Sequence, residues 1–281
     1  YFENNFIFIS MLTKNEMGIT LKVYKAILNF EKINFEVFFE TNEYWKKYNV
    51  FSGGRLEKFK DNKVLFSIGF AKNYDAPQDK NSLLGKIVAI DLDTKKYDII
   101  SYGHRNPQGL NYHVGKDIII NTEHGPKGGD EININDLNQK KIKNYGWPIS
   151  SYGEHYGFKT RDEKHPYYVQ APLYKSHLEH GFIEPHKYFT PSIGISEIIK
   201  INPNFFDRNY YLVFGALGNN IEEGDMSIHF LKLDEADKIL DHEIFKVNER
   251  VRDILKFKEK NMLFLALEST SSIGIIKEFK D

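Results

Sequence analysis

Apolar and polar positions along this chain fall into short runs. Phe6–Ser10, Leu21–Leu28, Phe35–Phe39, Val64–Ile68, Lys86–Asp91, Ile118–Asn121, Ile198–Ile201, Tyr210–Phe214, Ser227–Leu233, Ile244–Val247, Ile254–Phe257, Met262–Leu267 and Ile273–Phe279 are rich in β-branched and aromatic residues. Turn formers bound each run, and roughly four to eight residues between tight separators predicts antiparallel hairpins. Glu31-Lys32, Asp93-Thr94 and Glu259-Lys260-Asn261 are the expected hairpin tips. No segment sustains a helical period, so the class is all-β. Strand-rich units recur roughly every 40–50 residues, the spacing of four-stranded propeller blades, although a jelly roll or sandwich satisfies the runs nearly as well. The stretch 123–188 is strand-poor and loop-rich, and long loops inside a compact domain are usually functional. No linker or low-complexity boundary interrupts the pattern, which predicts one domain over residues 1–281.

Composition narrows the function classes. Lys and Arg total 38 against 39 Asp and Glu, a formal charge of -1. That balance carries no electrostatic footprint for nucleic acid or an anionic membrane. Cysteine is absent, which excludes disulfides, Cys-ligated zinc and thiol catalysis. No apolar run approaches the roughly 18 residues of a membrane helix. The chain opens at Tyr1 in a strand-like stretch without a leader pattern and reads as processed or trimmed. Only six arginines (Arg55, Arg105, Arg161, Arg208, Arg250, Arg252) stand among 32 lysines. In so lysine-rich a chain, Arg marks places where a planar, bidentate donor cannot be replaced by a point charge.

Three dense polar blocks follow one another between Gly103 and Gly153. They are Gly103-His104-Arg105-Asn106-Pro107-Gln108-Gly109-Leu110, then Glu123-His124-Gly125-Pro126-Lys127-Gly128-Gly129-Asp130-Glu131-Ile132-Asn133, then Asn144-Tyr145-Gly146-Trp147-Pro148. Such blocks are poor core and poor helix, and read as loops with particular chemistry. Arg105 and Asn106 set a guanidinium beside an amide; alone they also read as a structural loop with a salt bridge. The acidic, Gly-rich second block suits a hard cation or a solvated turn. His104, His113 and His124 lack metal-ligand spacing and read as hydrogen-bonded loop histidines. Trp147, between Gly146 and Pro148, reads as architectural. Near the C-terminus, Arg250-Val251-Arg252-Asp253 projects two arginines to one face of a strand.

Taken together, the order of these blocks resembles the soluble PQQ-dependent sugar dehydrogenases, the glucose/sorbosone (aldose sugar) dehydrogenase family. The resemblance runs from Tyr1 to the end and implies a six-bladed β-propeller whose first blade is missing or incomplete. It implies PQQ held by Arg105, Asn106, Gln108, Arg250 and Arg252. It further implies calcium held by the backbone of Gly125 and Pro126, by Asp130 and Glu131, and by backbone near Tyr145. A small-molecule sugar as substrate and a periplasmic or secreted location follow from the same resemblance, with neither nucleic acid nor membrane insertion expected.

Two departures change the functional expectation. Phe51-Ser52-Gly53-Gly54-Arg55-Leu56 matches a family block that opens with the histidine base, and phenylalanine accepts no proton. Within Phe214-Gly215-Ala216-Leu217-Gly218-Asn219, Gly218 stands where the family has a lysine on PQQ. The chain is therefore expected to be like an aldose dehydrogenase that oxidises a sugar at C1 by hydride transfer to PQQ, with the catalytic base lost. The alternative is a non-catalytic propeller that binds a carbohydrate or protein ligand at its mouth.

Overall fold

The computed structural model describes residues 1–281 apart from 4, 48–50, 127, 154–176, 203–208, 258–260 and 278–281. The first sheet is an antiparallel meander of β1 (Phe2–Glu3), β2 (Phe6–Asn15), β3 (Gly18–Ile27) and β4 (Glu36–Glu40). The second holds β5 (Gly53–Phe59), β6 (Lys63–Ile68), β7 (Lys86–Asp91) and β8 (Tyr97–Tyr102). The third begins with β9 (Pro107–His113), β10 (Ile118–Glu123) and β11 (Asp130–Asp136). Two-residue β12 (Lys143–Asn144) returns to pair in parallel with β8, and β13 (Lys187–Phe189) completes the third sheet beside β11. The fourth comprises β14 (Ile195–Ile201), β15 (Tyr210–Ala216), β16 (Ser227–Leu233) and β17 (Ile239–Lys246). The fifth has three described strands, β18 (Val251–Phe257), β19 (Met262–Leu267) and β20 (Ser272–Lys277).

These sheets are propeller blades, and their cores lie between them. Along β6, Val64, Phe66 and Ile68 turn toward the first sheet and pack with Phe8, Val23 and Phe39. Leu65 turns the other way, joining Ile87, Leu110 and Ile119 between the second and third sheets. The same alternation on β10 sends Ile118 and Ile120 to the fourth sheet and Ile119 to the second. Val213 and Ile228 meet Val251, Ile254 and Leu265 between the fourth and fifth. Such strands are buried on both faces, which is why they read as continuous apolar runs rather than as alternation.

Two expectations are corrected here. Five blades are present among the described residues, where six were expected; the spacing of apolar runs signals blades without counting them. Strand content was also underestimated in the polar blocks. β9 and β11 contain Pro107-Gln108-Gly109 and Asp130–Asn133, both read above as loop, and β5 contains Gly54-Arg55-Leu56, which the apolar runs did not signal. The innermost strands β5, β9, β14 and β18 pack in succession around the axis. Of the expected hairpin tips, Asp93-Thr94 is a turn closed by Asp91 Oδ1, which accepts from Thr94 N at 2.7 Å. Glu259 and Lys260 lie outside the described residues.

Candidate functional site

Arg105 leads from β8 into β9 and is buried, 6% exposed. Its backbone N–H donates to Glu123 Oε2 at 3.1 Å, and its NH1 donates to the His124 carbonyl at 2.8 Å. Its guanidinium carbon lies 4.7 Å from the Phe51 ring centre, 5.3 Å from Trp147 and 5.8 Å from Phe70. The ring at position 51 thus packs on a cation. Phe51 also lies 5.4 Å from Phe70, so the place expected to hold a proton acceptor is one wall of an aromatic box. Asn106 Oδ1 accepts from Gly53 N at 3.2 Å and the Asn106 carbonyl accepts from His124 N at 3.1 Å. These bonds fix the β5 entry to the β10 exit.

Arg250 and Arg252 open β18 on the fifth sheet. Arg250 Nε donates to Glu268 Oε1 at 3.2 Å, and its NH1 to Asn219 Oδ1 at 3.3 Å. Arg252 lies against Glu268 Oε2 through both Nε and NH2, and its NH1 reaches Gln108 Oε1 at 3.4 Å. Arg105 and Arg252 both help hold the His124 imidazole below its ordinary range, after burial as the main cause. Arg250 and Arg252 are therefore linked through Glu268.

The Glu123–Glu131 segment forms a buried polar network. His104 Nε2 meets Ser101 Oγ at 2.8 Å, and its other nitrogen stands 3.3 Å from Glu123 Oε2. Asn133 Nδ2 donates to Glu123 Oε1 at 3.1 Å and to Glu131 Oε2 at 3.2 Å. Glu131 Oε1 stands 3.4 Å from His177 Nε2. Burial raises the Glu131 carboxyl; it opposes protonation of His177, but Glu131 outweighs it and raises that imidazole. Tyr145 is fully buried, stacks on His104 at 4.7 Å and donates its hydroxyl to the Ile134 carbonyl. His177 was not foreseen, and a lone histidine in a polar stretch carries no sequence signal.

Calcium does not fit the acidic pair. Asp130 Oδ1 accepts from Gly125 N at 3.1 Å and Oδ2 from Ile195 N at 3.0 Å, while Glu131 is taken by Asn133 and His177. The Pro126 carbonyl accepts from Ser192 Oγ at 3.4 Å. Among the described residues no group of three His, Cys, Asp or Glu is arranged to hold a metal. Asp130 and Glu131 are expected cation ligands that the fold spends on its own backbone and neighbours. They stand in a strand, where β11 pairing turns them inward.

The residues likewise do not fit a tricarboxylate cofactor. Arg250 and Arg252 already share one carboxylate. At Gly218 a Cβ atom would lie 2.0 Å from Asp225 Oδ2, so an acid fills the space a lysine side chain would enter. Asp225 is 4% exposed, its Oδ1 makes no hydrogen bond among the described residues, and burial raises its pKa. Such a mouth is charge-balanced and not a cationic clamp.

Comparison with known proteins agrees with this architecture. Residues 1–275 match the Glucose / Sorbosone dehydrogenase family. The Escherichia coli aldose sugar dehydrogenase YliI is 31% identical over 238 residues, 79% of this chain and 58% of that protein. The chain spans about 60% of the length of the curated relatives it matches. A crystal structure of glucose dehydrogenase superposes with a TM-score of 0.78 at 24% identity, covering 99% of this chain and 79% of that one. The PQQ-bound aldose sugar dehydrogenase of Streptomyces coelicolor superposes at 0.65 with 18% identity, covering 99% and 72%. The all-β propeller and the ordered blocks from Arg105 to Trp147 thus have one origin: the chain belongs to the Glucose / Sorbosone dehydrogenase family.

Proposed function

We propose that this propeller binds a small sugar at the mouth end of its axis and does not oxidise it through PQQ. The observation that carries the reading is the Phe51 ring, 4.7 Å from the Arg105 guanidinium where the family resemblance calls for a proton acceptor. Removing a positioned base costs roughly 10²–10⁴-fold in rate. Family membership supports the sugar; the paired arginines and Asp225 argue against the anionic cofactor. Arg105, Asn106, Gln108, Arg250 and Arg252 then act as the frame of the mouth, and a periplasmic or secreted location accompanies the reading. Equilibrium dialysis of the purified chain against PQQ with calcium, beside calorimetric titration with aldoses, tests it. Sugar binding without PQQ retention is expected. Tight PQQ retention would return the chain to the cofactor-dependent reading.

A further inference from the structure

The far end of β9 from Arg105 carries a second cluster of titratable groups. His113 closes that strand, and Lys200 of β14 lies beside it with Nζ 2.5 Å from the imidazole Nε2. The other imidazole nitrogen, Nδ1, accepts from the Gly115 backbone N–H at 3.2 Å. A backbone amide only donates, so Nδ1 holds a lone pair and the neutral ring carries its proton on Nε2. That proton faces Lys200. An ammonium has no lone pair to receive it, whereas an uncharged amine has one. The two hydrogen bonds of His113 are therefore satisfied together only when Lys200 is a free amine.

The surroundings favour the same state. The carboxylate at hand, Asp237, is engaged by Lys116 Nζ and by Tyr210 Oη, which donates at 2.5 Å. Lys116 also donates to the Glu235 carbonyl at 2.7 Å. Among the described residues Lys200 has no ion pair. Its Nζ lies 4.7 Å from the Tyr210 ring centre, a ring that Lys116 shares at 5.1 Å. Burial, with repulsion from Lys116, holds the Lys200 ammonium down to about 8, against the pull of Asp237. Burial, then Lys200 and Lys116, holds His113 down to about 4 against Asp237, so the imidazole is neutral at pH 7. A desolvated amine beside a second cation is the setting that makes a lysine nucleophilic. Lys200 is half-buried and keeps an open side to solvent.

We propose that Lys200 is a covalent attachment site for small aldehydes, with His113 as its proton donor. The incoming carbonyl oxygen takes over the Nε2–H bond, which frees the Nζ lone pair to attack the carbonyl carbon. The oxygen gains the Nε2 proton and the new ammonium returns one to Nε2, leaving a neutral carbinolamine. A second such exchange expels the hydroxyl as water and leaves the imine; no oxidant or reductant is consumed. The site is independent of the sugar reading above. Reductive methylation of the purified chain with limiting formaldehyde and cyanoborohydride at pH 7, followed by peptide mass mapping, tests it. Lys200 should react about tenfold faster than exposed Lys32 and Lys140. That ratio sets about a hundredfold more free amine against a roughly tenfold weaker nucleophile. In concentrated urea the preference should vanish. His113→Glu sets a carboxylate against the ammonium, and once a thermal melt shows it folded, its Lys200 should react no faster than Lys32. Lys200 reacting at or below the Lys32 rate in the folded parent overturns the proposal. So does a preference that is undiminished in His113→Glu or that persists in urea.

Discussion

At position 51 the phenylalanine ring and the Arg105 guanidinium need one another. Replacing Phe51 by histidine would set an imidazole beside a buried cation, which disfavours the protonated form a general base must reach. Phe51→His is therefore expected to give no more than trace aldose turnover with added PQQ, measured by dye reduction. The Gly218 position is as restrictive. Gly218→Lys drives a Cβ to within 2.0 Å of Asp225 Oδ2, and overpacking of this kind costs about 1–3 kcal/mol. A urea titration should show that loss, and Asp225→Ala in the same chain should recover part of it. A Gly218→Lys variant as stable as the parent would show that the carboxylate moves aside freely.

At the scale of elements, one arginine ties four blades. Arg55 on β5 holds Glu197 of β14 and Asp253 of β18, and the Gln108 carbonyl of β9 accepts from its Nε. Glu197 also accepts from Leu110 N and Ile198 N. Arg55→Met strands a buried carboxylate, for which the expected cost is about 3–5 kcal/mol by chemical denaturation. Near the same axis burial pushes the Glu57 carboxyl up to about 8 and Glu197 up to about 7, Glu197 adding repulsion at Glu57. Arg55 lowers both, and Tyr112 N also lowers Glu57. A carboxyl raised in the folded state binds its proton more tightly there than when unfolded. Stability then falls as pH rises from the ordinary carboxyl range through about 8. His229 and His242 are held down to about 4, chiefly by burial, and remove stability only as pH falls below their ordinary range. Between pH 6.5 and 8 the melting temperature should therefore decline, and Glu57→Gln should flatten the decline. An unchanged slope in Glu57→Gln would remove that carboxyl from the effect.

At the scale of the whole molecule, what was legible in the sequence followed from where side chains go. Lys86–Asp91, Ser227–Leu233 and Met262–Leu267 match strands β7, β16 and β19 residue for residue, because apolar side chains serve the cores between blades. Strands β5, β9 and β11 were missed because Arg55 and Gln108 form polar bonds to other blades and Asn133 is held by Glu123 and Glu131 within its own. Propensity has no way to recognise such a strand. The ordered motifs marked the family correctly, yet they are silent on Glu268, Asp225 and His177. Those partners lie outside the motifs: Glu268 holds Arg250 and Arg252, Asp225 fills the space beside Gly218, and His177 stands against Glu131. The motifs therefore carry the family, while the carboxylates set beside the arginines are visible only in the fold. Turnover decides most directly whether this propeller has left sugar oxidation behind: the purified chain, saturated with PQQ and calcium, is assayed for electron transfer from glucose to a dye. No turnover above free PQQ is expected, and robust, protein-dependent dye reduction would show that the propeller still oxidises sugar.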